Sequence, residues 1–177
     1  MTPEGYRIVE LTAGHAPGMA AAYSRNREHL APFDPRREAD FYTVEGQTVS
    51  VAGQLSAVRG GHMVAWVLEH QGEVVGRVNL NNVVLGALRS AAVGYWVDAE
   101  HQGRGLATGA VEFACAQARD RGLHRVEAGT LLHNTASQRV LERCGFEPYG
   151  MAAKFLFIDG AWRDHKLYQR ILHDDPL

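Results

Sequence analysis

The sequence predicts an α+β fold on a mostly antiparallel mixed sheet. Two observations lead there. Three strand-like runs in the middle of the chain (62–69, 73–85 and 91–97) are joined by connections too short for parallel crossovers. After them, helical and strand-like spacing alternate to the end. The order reads β-α-α-β-β-β-α-β-α-β-β, with no repeat or linker long enough to divide it, so residues 1–177 are expected to form a single domain.

Residues 6–11 (YRIVEL) alternate like a strand. Thr12 can cap a helix running to about Leu30, with Pro17 in its first turn. The segment from Ala31 to Pro35 breaks it. A second helix spans 41–59 and stops at Gly60-Gly61. The three central strands follow, with Gln71-Gly72 as the first turn. Leu106 to Arg121 has helical spacing, basic residues in its last turn and Gly122 just beyond. Residues 123–131 form a strand. Asn134 or Thr135 starts a further helix, where Thr135-x-x-Gln138 fits a capping box, and Gly145 closes it. Residues 154–158 and 162–172 make a last hairpin about Asp159-Gly160. About four helices therefore flank the sheet.

Composition narrows the function classes. The chain is 46% hydrophobic and 21% charged, ordinary for a globular protein. A net charge of -2 argues against a strong nucleic-acid or membrane binder, though a local anion site remains open. No apolar run is long enough to span a bilayer, and the N-terminus lacks a secretory pattern, so the cytoplasm is expected. Cys115 and Cys144 sit in helix-like segments and read as buried free thiols. The nine histidines show no HxxxH or HExxH pairing, so no metal is expected.

The segment from Gln102 to Thr108 carries the clearest chemistry. Glycines after a strand and before a helix let successive N–H groups face one anion, and the helix N-terminus adds positive potential. Gly103 and Gly105 stand there, followed by Leu106, Ala107 and Thr108. Arg104 can add charge or face solvent. A P-loop string is absent. A dinucleotide fingerprint fails at Thr108 and is preceded by a meander instead of a βαβ start, although Glu127 lies near the expected ribose acid.

Gln102-x-x-Gly105-x-Ala107 resembles the Q/R-x-x-G-x-G/A motif of the GNAT superfamily of N-acetyltransferases. Here it follows Gly94-Tyr95-Trp96-Val97, and a later helix starts Asn134-x-x-Ser137 and ends Cys144-Gly145-Phe146. Val93-Gly94-Tyr95-Trp96-Val97, Asn134-x-x-Ser137-x-x-Val140, Leu167-Tyr168-x-Arg170-Ile171 and Asn26-Arg27-x-x-Leu30-x-Pro32-Phe33 are similar to the ribosomal-protein N-terminal acetyltransferase branch, the RimJ/RimL type. The resemblance covers residues 62–172 well and the first sixty loosely.

The resemblance implies a GNAT fold with a V-shaped splay between the fourth and fifth strands, and direct acetyl transfer from acetyl-CoA to a primary amine. Trp96 and Val97 would pair with pantetheine through their backbone, one N–H holding the thioester oxygen. The amides of Gln102 to Thr108 would take the pyrophosphate. Asn134 would meet the pantetheine amides; it also suits a helix N-cap. Ser137 would lie near the sulfur and assist thiolate departure; a first-turn backbone bond is its plain alternative. The tyrosine that many members carry further along this helix is replaced by Leu141, with Tyr149 and Tyr168 as distant substitutes. No carboxylate stands at Ser90-Ala91-Ala92, and Leu156 occupies another acidic position of the branch. Asp98, Glu100 and Glu127 remain as candidate bases.

Acceptor contacts are expected from Phe33, Asn79, Asn81 and Tyr95, with Phe41 as a further wall. The missing carboxylates favour an amine that titrates low, such as the α-amine of a protein or peptide. The same chemistry on a small amine (an antibiotic, polyamine or amino acid) and a non-catalytic CoA-binding regulatory module are the competing readings. A homodimer through the last hairpin is a further expectation.

Overall fold

The computed structural model describes residues 3–176. Met1, Thr2 and Leu177, part of the N-terminal reading and of the 1–177 span, lie outside them. Seven strands form one sheet: β1 (Tyr6–Glu10), β2 (Met63–His70), β3 (Glu73–Val84), β4 (Ser90–Val97), β5 (Arg125–Leu131), β6 (Glu147–Ile158) and β7 (Ala161–Ile171). Their spatial order is β1-β2-β3-β4-β5-β7-β6. All pairings are antiparallel except β4 with β5.

Helices cover both faces. On one lie α4 (Leu106–Asp120) and α5 (Thr135–Arg143); on the other lie α1 (Ala16–Arg25), the single turn α2 (Arg27–Leu30) and α3 (Val44–Arg59). Alternation along the strands divides the core accordingly. Val78, Leu80, Val93 and Val126 pack toward Val111, Ala114 and Leu141, whereas Ala65, Val67 and Val74 pack toward Met19, Tyr23 and Val51.

The splay is real and abrupt. β4 and β5 pair only from Ser90 to Ala92, against Arg125 to Glu127. Beyond that point the strands part, and the gap becomes the site.

Four boundaries differ from the sequence expectations, each for a local reason. The helix drawn from Thr12 to Leu30 is a 3₁₀ turn (Ala13–His15), then α1, then α2. Buried Asn26 interrupts it, its amide donating to Ala22 O at 2.9 Å. Phe41 and Tyr42 belong to a 3₁₀ turn; α3 begins after Thr43, whose hydroxyl accepts the Gly46 N–H at 3.0 Å. At α5 the cap is Asn134, one of the two expected starts, but the Thr135 capping box does not form, and Gln138 instead donates to Leu131 O and Leu132 O. Strand β6 starts seven residues earlier than Lys154. It is an edge strand, exposed almost throughout and twice shifted in register, so apolar alternation does not mark it.

Candidate active site

Gly103 and Gly105 adopt φ of 71° and 77°, the left-handed region that glycine enters without strain. A side chain at either would meet only open space, so packing does not require these glycines. The backbone they shape has a different use. Among the described residues, no protein acceptor takes the N–H groups from Gly103 to Thr108. They open onto a groove of about 430 Å³ lined by Val97, Gln102, Ala107, Asn134, Ser137 and Arg143 among others. Unsatisfied amides at a helix start form a site for a phosphate group.

The loop is held from both sides. Asp98 caps the 3₁₀ turn Ala99–His101 by accepting the Glu100 N–H at 3.0 Å, and its other oxygen pairs with Arg25 Nε at 2.5 Å. Asn26 Oδ1 accepts the Ala99 N–H at 2.9 Å. The Gln102 amide meets His29 Nε2 at 2.9 Å. Burial would raise the Asp98 carboxyl, but contacts with Asn26, the Glu100 N–H and Arg25 outweigh it and hold it below the usual carboxylate range. Arg104 turns away from the groove, donating to Tyr6 Oη at 3.1 Å and Glu100 O at 3.2 Å, so any contribution it makes is through its backbone. His101 lines the groove beside Tyr6; burial, with Arg104 and His70 nearby, lowers its pKa.

Hydrogen bonds at its two ends fix which backbone groups of β4 face the gap. Arg89 O, just before the strand, accepts from His124 and Arg125 on the β5 side. Asp98 N–H, just after it, donates to Val75 O on β3 at 2.9 Å. Alternation between them points the groups of Val93, Tyr95 and Val97 into the gap and those of Trp96 at β3. This corrects the Trp96 expectation. Trp96 lines the groove, but its indole N–H is held by Tyr23 Oη at 3.1 Å and its backbone belongs to the sheet. Val97 and Tyr95 offer the free groups.

Asn134 Oδ1 accepts the Ser137 N–H at 3.1 Å, so the asparagine is a cap. Its side chain also lines the groove, where its N–H₂ remains available. Ser137 Oγ lies 2.8 Å from Tyr95 Oη. Burial pushes the Tyr95 phenol well above its ordinary range, more than the Ser137 hydrogen bond lowers it, so it stays neutral.

Phe33, Tyr95, Asn134 and Ser137 line a second cavity as well, about 210 Å³, on the far side of the gap. Gly94, Gly129, Thr130 and His165 are among its other walls. Thr130 Oγ1 is buried without a hydrogen-bond partner. A third cavity of about 600 Å³ adjoins through Asp34 and Pro35, and Arg27, Arg36, Arg37 and Phe41 line it. Asn79 and Asn81 stand on the same sheet face next to Gly94 but line none of these spaces; the Asn81 amide faces Ala92 O at 3.5 Å.

The three carboxylates proposed as bases do not come together here. Asp98 is buried and paired. Glu100 sits in the exposed 3₁₀ turn. Glu127 lies in register with Ala92 at the root of the gap, but it accepts from Arg125 at 2.7 Å and from Tyr149 Oη at 2.6 Å. Tyr168 is fully buried and turns to Glu142, away from the gap. Burial pushes the thiols of Cys115 up to about 11 and Cys144 up to about 12, so neither is a nucleophile at neutral pH. No group of three His, Cys, Asp or Glu among the described residues could hold a metal ion. No helix among them is long and apolar enough to cross a membrane. His165 is the residue that sequence reasoning passed over. Only the pairing of β7 with β5 brings it here.

A mixed sheet opened at its one parallel pair, with an anion loop behind the gap and a small cavity in front, defines an acyl-CoA-dependent transferase. Residues 7–147 match the model of the acetyltransferase (GNAT) domain. A probable N-acetyltransferase, YjcK, from Bacillus subtilis is 35% identical over 86% of this chain and 86% of its own. The [ribosomal protein uS5]-alanine N-acetyltransferase of Escherichia coli is 32% identical over 84% and 78%. Among solved structures, the ribosomal-protein-S5-alanine acetyltransferase of Vibrio fischeri superposes with a TM-score of 0.93 at 30% identity, over 99% and 98% of the two chains. Mycobacterium smegmatis RimJ, in complex with CoA-disulfide, gives 0.89 at 33%, over 94% and 81%. The chain belongs to the GNAT acetyltransferase family and its RimJ/RimL-type branch, and it is an N-acetyltransferase.

Proposed function

We propose that the enzyme moves an acetyl group from acetyl-CoA directly to the N-terminal α-amine of a protein or peptide. One observation carries this: the groove behind the gap and the cavity in front of it share Tyr95, Asn134 and Ser137 as a common wall. A thioester coming from one side and an amine from the other would meet there. The front cavity continues into a larger one, with room for residues after the first, which favours a peptide over a small amine. The names of the uS5-alanine and S5-alanine relatives agree with such an acceptor.

In this reading the amides of Gly103 to Thr108 take the pyrophosphate. The Val97 or Tyr95 N–H holds the thioester oxygen and binds it more strongly as charge develops. Asn134 donates to the pantetheine, and Ser137 hydrogen-bonds the departing sulfur. We take the enzyme to be cytoplasmic. A second copy would meet the exposed Phe157 and Trp162 of the last hairpin.

The test is thiol release from acetyl-CoA with a panel of free-N-terminal peptides, N-terminally blocked lysine peptides and small amines, followed by mass analysis. Peptide α-amines should turn over best. Turnover confined to small amines would overturn the acceptor.

A further inference from the structure

We infer that His165 is the group that takes the proton from the attacking amine. This rests on the acetyl-transfer reading but not on the acceptor being a peptide.

His165 stands on β7 opposite Leu131, on the sheet face shared by Glu127 and Gly129. The residue is 3% exposed and walls the small front cavity together with Gly94, Gly129, Tyr95 and Ser137. Two glycines clear this space. A methyl group on Gly129 would lie 3.7 Å from the His165 ring, with Leu167 and Phe155 as the next neighbours. An amine entering above Gly129 would therefore touch the imidazole.

The tautomer follows from one hydrogen bond. His165 Nδ1 lies 3.1 Å from Arg163 O. A carbonyl oxygen only accepts, so Nδ1 carries the hydrogen, and in the neutral ring Nε2 keeps its lone pair. Among the described residues Nε2 has no hydrogen-bond partner, and Cδ2, the ring atom bonded to Nε2, is the one that faces Gly129 in the cavity wall. Phe155 packs edge-on at 5.3 Å and fixes the ring plane. Asp98 and Glu127 are paired and Glu100 is exposed, as described above, and Asp34, a carboxylate that lines this cavity, is paired with Arg37 at 3.1 Å.

The step balances. The amine nitrogen attacks the thioester carbon and a C–N bond forms. One N–H proton passes to His165 Nε2. The C–S bond breaks, and the CoA thiolate takes up a proton, leaving an amide and free CoA. His165 then returns its proton to solvent.

The experiment uses the full chain, acetyl-CoA and whichever amine the wild type acetylates. His165→Gln should lower kcat on the order of a hundredfold or more, the usual range for a general base, while CoA affinity and melting temperature hold. Added imidazole should restore part of the activity of His165→Ala, which a purely packing role would not allow. A folded His165→Gln with kcat within about threefold of wild type overturns the proposal. A measurement on the wild type covers the case in which the variants do not fold. In ¹⁵N-histidine-labelled protein, the Nε2 resonance of His165 should move when the acceptor joins the CoA complex; no movement also overturns the assignment. Turnover of small amines alone would sink the proposed acceptor and leave His165 to be tested on them. No turnover with any amine would sink both.

Discussion

Tyr95 Oη and Ser137 Oγ lie 2.8 Å apart across the mouth of the gap, joining the free strand edge to the first turn of α5. The bond holds the serine hydroxyl at the junction of the groove and the front cavity. Tyr95→Phe keeps the ring and removes the bond. A net hydrogen bond of about 1 kcal/mol corresponds to roughly a fivefold loss in kcat, with the KM for acetyl-CoA little changed. An unaltered kcat would show that Tyr95 does not position the serine.

Ser137→Ala and Asn134→Ala should separate chemistry from capping. The serine variant should lose rate more than CoA affinity. The asparagine variant should lose stability too, by about 1 kcal/mol, because α5 loses its N-cap. Calorimetric CoA titration and thermal melts distinguish the two patterns.

Gly105→Glu should abolish CoA binding. It brings negative charge to the amides that take the pyrophosphate and forces a side chain into a φ of 77°. Gly105→Ala is the control, with a conformational cost of about 1 kcal/mol and partial binding. Full CoA affinity in the glutamate variant would remove the phosphate assignment.

Asp98 gives the pH dependence its sign. Its carboxyl is held below the ordinary value when folded. The stability it contributes is therefore complete above the unfolded pKa, near 3.9, and is lost as pH falls through the lower folded value. Asp98→Asn should lower the melting temperature at pH 7, and that difference should shrink below about pH 4. A constant difference across that range would show that Asp98 plays no part in acid unfolding.

Acceptor preference follows from how amines titrate. At pH 7 roughly a tenth of an α-amine is neutral, against well under a thousandth of a lysine. Peptides with a free N-terminus should therefore outpace N-terminally blocked lysine peptides by about a hundredfold in kcat/KM. Equal rates would mean that the enzyme selects its amine by something other than basicity.

Much of this was legible in the chain itself. Periodicity placed four helices and the central meander, and the Gln102 to Thr108 loop was readable because glycines before a helix have a local physical meaning. Strand β6 was not, since an exposed edge strand keeps no apolar alternation. The start of α5 was legible to within one residue, Asn134 or Thr135, because both side chains carry an oxygen that can accept a first-turn N–H, and the fold uses Asn134.

Sequence alone determined the local chemistry: the glycine turn, the helix starts at Leu106 and after Asn134, and the serine one turn later. Tertiary structure decided which backbone groups are free and which side chains meet. Trp96 and Val97 are neighbours in the chain, yet pairing with β3 occupies one and leaves the other open to the gap. His165 lies 28 residues from Ser137 along the chain, and only the order β4-β5-β7 puts both on one cavity. Strand pairing between distant segments leaves no spacing in sequence, so a site built across it emerges only in the fold.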